Sequence, residues 1–487
     1  MDNNFMKRKA ISGVLWKFSE RIIAQLVSLA VSIILARILL PEDFSVVSLV
    51  TIFFSFSNIL ISGGLNTALI QKKDADIIDY SSVFFVTMLI SIVIYTTLFI
   101  SAPTIANIYD NELLIPIIRI MGISLFINAY KSIVTAYISS NLEFRKFFIS
   151  TLIGTIISAI IGVTMALRGY GVWALVTQQL VLSLFDTIFL TLSTKFFPKM
   201  SFSIKRLKSL FNYGWKIFIS SIISELYEQI NPLIIGIKYS RSDLAFYTKG
   251  KSFPVIVNAS ISDTVSAVVF PILSKYQDDP DYILELTRKF MQLSSYLVFP
   301  LMTGFFAVSD NFILLLLTDK WAEAIPFVQI FCISYMFNII QTGNLQVIRA
   351  IGRSDILLLL EIIKKAIYFV IIVLFIIFST TPTQLAFSSV LCTFFATLSN
   401  TYPNRKLIGY RYRYQIMDLL PNFIISGVMG LIVYSLRFIQ ITPFLTISIQ
   451  VLVGIISYIA LSIITKNKNF RFLANFFKAN ILGGTNK

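Results

Sequence analysis

Histidine is absent from all 487 residues of the chain. Without an imidazole there is no Ser-His-Asp triad, no His-ligated zinc and no His proton relay, so most hydrolase and membrane acyltransferase chemistries fall away. Cysteine is nearly absent. Cys332 and Cys392 both lie in apolar runs and read as small buried side chains, not as a disulfide framework. A nucleotide-binding loop is missing too. The one Gly-Lys-Ser, Gly250-Lys251-Ser252, has Ala245 where the first glycine of a P-loop would stand. Charge is scarce, 14% of residues against about 25% in a typical soluble domain.

Apolar side chains fill the gap: 56% of the residues are hydrophobic and the mean hydropathy is +0.79. Too little polar surface is left to cover a globule in water, so lipid must solvate much of the chain. The net charge of +16 would suggest nucleic acid in a soluble protein. In a membrane protein Lys and Arg gather in cytoplasmic loops instead, and no nucleic-acid partner is implied. The N-terminus opens with Lys7-Arg8-Lys9 and an apolar run too long for a signal-peptide core, which reads as a retained first span.

Apolar runs of roughly 20 residues mark fourteen spans. They are 13–38, 44–70, 81–106, 114–138, 147–167, 172–194, 211–237, 247–273, 284–308, 324–348, 355–378, 384–403, 416–437 and 442–465. The stretch "FILLLLTDKWAEAIPF" leaves room for a short re-entrant segment within 305–330. The longest interior break, "KFFPKMSFSIKRLKSL" at 195–210, reads as a linker between halves. With an even number of spans both termini share one side. That side collects about 26 Lys and Arg against about 8 on the other, which makes it cytoplasmic.

The chain echoes itself. "GVLWKF" at 13–18 returns as "YGWKIF" at 213–218, and "LPEDFSVVS" from Leu40 returns as "SRSDLAFYT" from Ser240. Both offsets are roughly 200 residues, which points to a duplicated six-helix unit. The expected organisation is a first lobe over 1–200, a second over 201–410, and two further helices with a basic tail over 411–487. Two six-span copies enter the membrane from the same side, so an axis along the membrane normal should relate them.

Basic residues inside the assigned spans include Lys17, Arg21, Arg119, Lys131, Lys216, Lys364 and Lys365. Lys17, Arg21, Gln25 and Ser28 recur at helical spacing on one face, and so do Lys216, Ser220, Ser224, Glu228 and Asn231 in the second copy. A boundary charge that snorkels would be confined to the first turn. These stripes run three to four turns, so the reading is a water-filled cavity whose cations attract an anion such as phosphate or pyrophosphate. Arg119 and Lys131 are further cavity candidates. Asp186, Glu225 and Asp263 are candidates for holding a coupling ion, H+ or Na+. Glu361, Lys364 and Lys365 read as a locally paired group. Asn258-Ala259-Ser260 matches a glycosylation sequon but falls mid-helix and is given no role.

Three stretches carry a family resemblance. "LARILLPEDFSVVSLVTIFFSFSNILISGGLNTALIQKKD" at 35–74, "LRGYGVWALVTQQL" at 167–180 and "SDLAFYTKGKSFPVIVNASISDTVSAVVFPILSKYQDD" at 242–279 resemble the WzxC-like polysaccharide flippases. These belong to the polysaccharide-transporter branch of the multidrug/oligosaccharidyl-lipid/polysaccharide exporter superfamily, which also holds the MATE proteins. The resemblance implies an all-α polytopic membrane protein, with about fourteen helices in two six-helix lobes forming a V, plus two C-terminal helices. It implies movement of an undecaprenyl-pyrophosphate-linked oligosaccharide across the bacterial cytoplasmic membrane for O-antigen, capsule or exopolysaccharide synthesis. Of the family's cationic cavity it carries over Lys17, Arg21 and Lys216.

The sequence therefore reads as a secondary transporter and not an enzyme, with no cofactor and no metal. Its expected partners are the lipid-linked oligosaccharide, membrane lipids, a polymerase and a chain-length regulator, and the protein itself is taken as a monomer. A drug exporter of the same superfamily would want an acidic cavity in the first lobe. A major-facilitator carrier would have twelve spans. A membrane glycosyltransferase or polymerase would need a carboxylate-rich loop, for which Glu42-Asp43 is the one acidic pair at a fitting place.

Overall fold

Hydrogen-bond needs in lipid leave a chain of this composition few options, and the structure takes the simplest of them. Among the described residues every regular element is a helix, which satisfies its own backbone. This computed structural model describes residues 23–72, 74–141, 143–438 and 442–477, and within them all side chains but those of 260, 263–268, 271, 476 and 477. Lys17 and Arg21 lie outside the described residues.

Packing divides the chain into two compact units, Met1–Ala245 and Phe246–Lys487. The first holds α1 (Ile23–Ile38 in its described part), α2 (Pro41–Ser62), α3 (Leu65–Gln71), α4 (Ile77–Ile108) and α5 (Leu114–Met121). It continues with α6 (Ile123–Ser140), α7 (Phe144–Leu167), α8 (Val172–Thr194) and α9 (Ile204–Lys238). The division falls inside α10 (Asp243–Lys275). The second unit contains α11 (Pro280–Leu317), α12 (Ile325–Ala350), α13 (Ser354–Phe378) and α14 (Pro382–Thr401). It ends with α15 (Asn404–Leu407), α16 (Tyr412–Ser435), α17 (Pro443–Ile464) and α18 (Lys468–Phe477). In the first unit α7 lies along α8 while α9 packs on α2, α3 and α4. In the second, α11 packs on α12 and α16, α12 on α14, and α16 on α17. The expected lobe boundary at residue 200 follows sequence repetition and is a separate quantity from this division by packing.

Helix starts are written locally. Asp43 accepts a hydrogen bond from the Leu40 amide at 3.1 Å, just ahead of Pro41 at the first position of α2. Asp243 accepts from the Ser240 amide at 2.9 Å in the same way, so the aligned pair Asp43 and Asp243 performs one capping job twice. Asp76 caps α4 by accepting from the amides of Ile78 and Asp79, while Asp79 accepts from the Asp76 amide.

Burial is inverted relative to a soluble protein. Ile100 and Leu431 are each 71% exposed, whereas Asn344, Asn404 and Gln450 are fully buried. Apolar side chains outside and amides inside are what lipid as solvent selects, because an amide facing hydrocarbon has no partner. Nine helical stretches among the described residues are long and apolar enough to cross a membrane. The helices at the other five assigned positions, α1, α9, α10, α13 and α14, are short in their described part or carry more polar and charged side chains.

Several expected boundaries shift. The assigned span 44–70 breaks at Gly63 and Gly64, whose φ angles of +50° and +71° end α2 and restart the chain as α3. The span 114–138 divides at Gly122. In 305–330 α11 runs unbroken to Leu317 and a six-residue 3-10 helix, Asp319–Ala324, leads into α12, in place of the re-entrant segment for which the sequence leaves room. The break at 195–210 is held against the first unit. The Lys199 and Ser203 amides donate to Ser81 and Ser82 on α4, both at 2.9 Å, and Phe196 is buried in the first unit's core.

Candidate functional site

Three helices of the first unit each present polar side chains at i, i+4 and i+7, the spacing of one helical face. They are Thr51, Ser55 and Asn58 on α2; Ser124, Asn128 and Lys131 on α6; and Gln179, Ser183 and Asp186 on α8. The first two of each stripe, with Asn58, meet around a cavity of about 220 Å3. Across it the Asn128 amide donates to Asn58 Oδ1 at 3.3 Å, and the Ser183 hydroxyl donates to Asn128 Oδ1 at 2.8 Å. About one turn beyond, Lys131 Nζ lies 2.6 Å from Asp186. Thr151 on α7 donates to the same carboxylate at 3.5 Å. Gly154 lets α7 come this close, because a Cβ there would stand 3.0 Å from the Asp186 backbone nitrogen.

The second unit repeats this arrangement with changed charge. Asn258 on α10 follows Asp243 at the interval by which Asn58 follows Asp43, and its amide donates to Asn338 Oδ1 on α12 at 3.2 Å. A second constant offset relates Ile123, Ser124 and Asn128 to Ile333, Ser334 and Asn338, and Ser183 to Thr393. The pair opens onto a cavity of about 340 Å3 that Ser262, Thr342, Gln346 and Arg349 also line. By that offset Lys131 and Asp186 correspond to Gln341 and Ala396. Gln341 donates to the Thr393 carbonyl at 3.1 Å, so the charge pair of the first unit is neutral in the second.

The residues singled out from sequence are placed as follows. Lys131 and Asp186, expected to serve separately as substrate cation and ion site, are brought together as an ion pair. Arg119 on α5 lies 4.2 Å over the Phe99 ring, with its Nε buried and without a hydrogen-bond partner among the described residues. Lys216, Ser220, Ser224 and Glu228 form an exposed polar stripe on α9, and Asn231 at its end is buried. Glu225 is half-buried and accepts from the Gln229 amide at 2.8 Å. Gln25 is half-buried on α1. Asp263 belongs to α10, but its side chain lies outside the described residues. Lys364 pairs with Glu361, as the local-cluster reading expected.

Two charge clusters escaped the sequence reading, one in each unit. Asp79, fully buried, takes Lys72 Nζ at 2.6 Å, and Arg206 at the start of α9 bridges to Asp76 and Asp79. The Arg206 guanidinium holds the Asp76 carboxyl at about 2, below its ordinary 3.8. In the second unit Asp418 on α16 accepts from Arg288 Nε and a terminal guanidinium nitrogen at 2.8 and 2.9 Å, from Gln292 at 2.6 Å and from Tyr410 at 2.9 Å. Burial, and then the Asp418 charge, push the Tyr410 hydroxyl well above its usual range. The missed signal was pairing across distant helices. Neither partner looks unusual within its own stretch.

Comparison with known proteins fits this geometry. A family model described as "Polysaccharide biosynthesis protein" matches residues 34–326. The succinoglycan biosynthesis transport protein ExoT of Rhizobium meliloti (strain 1021) is 25% identical over 301 residues. That alignment takes in 62% of this chain and spans only 61% of the length of ExoT. The lipopolysaccharide biosynthesis protein WzxC of Escherichia coli (strain K12) is 22% identical over 377 residues, 76% of this chain and 75% of WzxC. Among solved structures, the lipid II flippase MurJ in an inward closed conformation superposes with a TM-score of 0.77 at 15% identity. The superposition takes in 92% of this chain and 99% of that one, so the two share a fold.

Proposed function

The chain belongs to the polysaccharide biosynthesis protein family, and from that premise we propose that it flips a lipid-linked oligosaccharide across the bacterial cytoplasmic membrane. The cargo is an undecaprenyl-pyrophosphate-linked repeat unit, moved by alternating access through a bundle of fourteen spans with both termini in the cytoplasm. The polyprenyl tail stays in lipid while the pyrophosphate and sugars travel through the protein. A pyrophosphate leaves water only where cations replace its hydration. Lys17, Arg21 and Lys216 are assigned that part, with Asp186, Glu225 and Asp263 as sites for a coupling H+ or Na+. The protein works as a monomer beside a polymerase and a chain-length regulator.

The observation that carries this reading is the exposed stripe of Lys216, Ser220, Ser224 and Glu228 on a helix whose other exposed side chains include Trp215, Ile219 and Ile223. Charges along several turns of a membrane helix are costly unless they meet water or a polar cargo.

Export complementation, scored beside membrane abundance, tests the assignment. A charge-assisted hydrogen bond is worth roughly 1.5–3 kcal/mol, so Lys17→Ala or Lys216→Ala should slow export about tenfold to a hundredfold at normal abundance. Normal export by the Lys17→Glu, Lys216→Glu double variant refutes the cationic site. Reporter fusions at Lys208 and Lys487 should both read cytoplasm.

A further inference from the structure

The two Asn–Asn cavities share a chemistry that the pyrophosphate does not need. We propose that they are two sugar subsites, one inside each unit and each built beside the same asparagine pair, each taking a single pyranose ring of the lipid-linked saccharide. The inference rests on the transport reading above and names where its sugars bind.

The donor set selects this ligand. A carboxamide offers two N–H donors and an acceptor oxygen, so it matches hydroxyl groups, which also donate and accept. A phosphate site would gather Arg and Lys, and an ion site carboxylates. Here the polar walls are Asn58, Asn128, Gln179 and hydroxyls in one unit, and Asn258, Asn338, Gln346, hydroxyls and a single cation, Arg349, in the other. Each Asn–Asn bond leaves capacity unused. Asn58 and Asn338 each accept the amide of the partner asparagine, and their own amide groups donate to no described residue. Gln179 and Gln346 line the cavities without a hydrogen bond to any described residue, although Gln346 is only 3% exposed. Cavities of about 220 and 340 Å3 fall just below and at the lower end of the range for ligand pockets, roughly 300–1,000 Å3, which suits one sugar and not a whole repeat unit.

Interhelical glue is the rival explanation, since amides commonly bridge membrane helices. It accounts for the asparagine pairs and leaves Gln179 and Gln346 unexplained. Duplication adds a second argument. Across the two copies the charge pair has become neutral, while both asparagines and a hydroxyl at the position of Ser183 are kept. The shared element is the asparagine pair, and in each unit a glutamine at a different position completes the cavity beside it.

The test uses purified full-length protein in detergent. Binding of undecaprenyl pyrophosphate carrying one hexose is compared with binding of bare undecaprenyl pyrophosphate, both read by native mass spectrometry. Wild type should prefer the glycosylated lipid. Gln179→Ala and Gln346→Ala should each lower that preference roughly threefold to tenfold, the worth of a neutral hydrogen bond. Binding of the bare lipid and the melting temperature should hold. Gln→Met at either position, nearly isosteric, should lower the preference equally and replaces Ala where Ala folds poorly. An equal affinity of wild type for both lipids overturns the proposal, as does an unchanged preference in the variants or an equal loss for both lipids. Vesicle transport is scored separately. Wild type that binds with the sugar preference and flips neither lipid removes the transport reading and keeps the subsites.

Discussion

Lys131 on α6 and Asp186 on α8 form a 2.6 Å ion pair within the first unit, and both corresponding positions of the second unit are uncharged. Asp186 is nearly buried and Lys131 is about one-third exposed, so removing one partner strands a charge that lipid and helices cannot solvate. The second unit displays the neutral solution to the same packing problem.

Single substitutions Lys131→Ala and Asp186→Ala should therefore each cost about 2 kcal/mol, somewhat below the range for fully buried pairs. The double variant Lys131→Gln, Asp186→Ala copies the second unit and should recover most of that loss. Thermal unfolding of the purified protein compares the three. A double variant as unstable as the sum of the singles would show that the two charges do not act as a pair.

Gly64 and Gly214 meet where α3 begins and α9 crosses it. A Cβ on Gly64 would overlap the Gly214 carbonyl, and the φ of +71° adds strain. A Cβ on Gly214 would lie 3.0 Å from the Gly64 carbonyl group. Gly214→Ala should destabilise by about 1–3 kcal/mol, the usual cost of overpacking, and Gly64→Ala by more. Gly427→Ala, with nothing within 4 Å, is the control and should be near neutral. Equal melting temperatures for all three variants contradict the close crossing.

Asp418 accepts four hydrogen bonds and ties α11 to α16. Asp418→Ala should cost about 3 kcal/mol, because it leaves Arg288 and the Tyr410 hydroxyl without their acceptor. Arg288→Lys keeps the charge and loses the two-pronged contact, so a smaller loss of about 1 kcal/mol is expected. Limited proteolysis of the 405–411 connection should quicken in the same order. Indistinguishable cleavage in Asp418→Ala and wild type rules out the anchoring role.

Acid should loosen the start of α9. The folded Asp76 carboxyl titrates at about 2 against an ordinary 3.8, so its pairing with Arg206 stabilises above about pH 4 and is lost as pH falls toward 2. Both groups face solvent, which keeps the effect small and sensitive to salt. The difference in melting temperature between wild type and Arg206→Gln should shrink across that window. A difference that stays constant from pH 6 to pH 2.5 excludes the linkage.

Composition and helical periodicity determined what a local reading can determine. Fifty-six percent hydrophobic residues with sparse charge require lipid as solvent, and in lipid continuous apolar runs of about 20 residues select helices over a barrel. The polar stripe from Lys216 to Glu228 was legible because residues three and four apart share a face wherever the helix sits. Asp43 and Asp243 betrayed the duplication because a cap acts within its own turn. The tertiary structure alone decided what each stripe faces. Nothing near Lys131 names Asp186, nothing near Arg288 names Asp418, and Asn258 looked like an idle sequon until α12 brought Asn338 within 3.2 Å. Helix breaks at Gly64 and Gly122 were likewise hidden inside continuous apolar runs. Periodicity assigns a side chain to a face of its own helix, but which neighbour that face meets depends on how every helix packs at once.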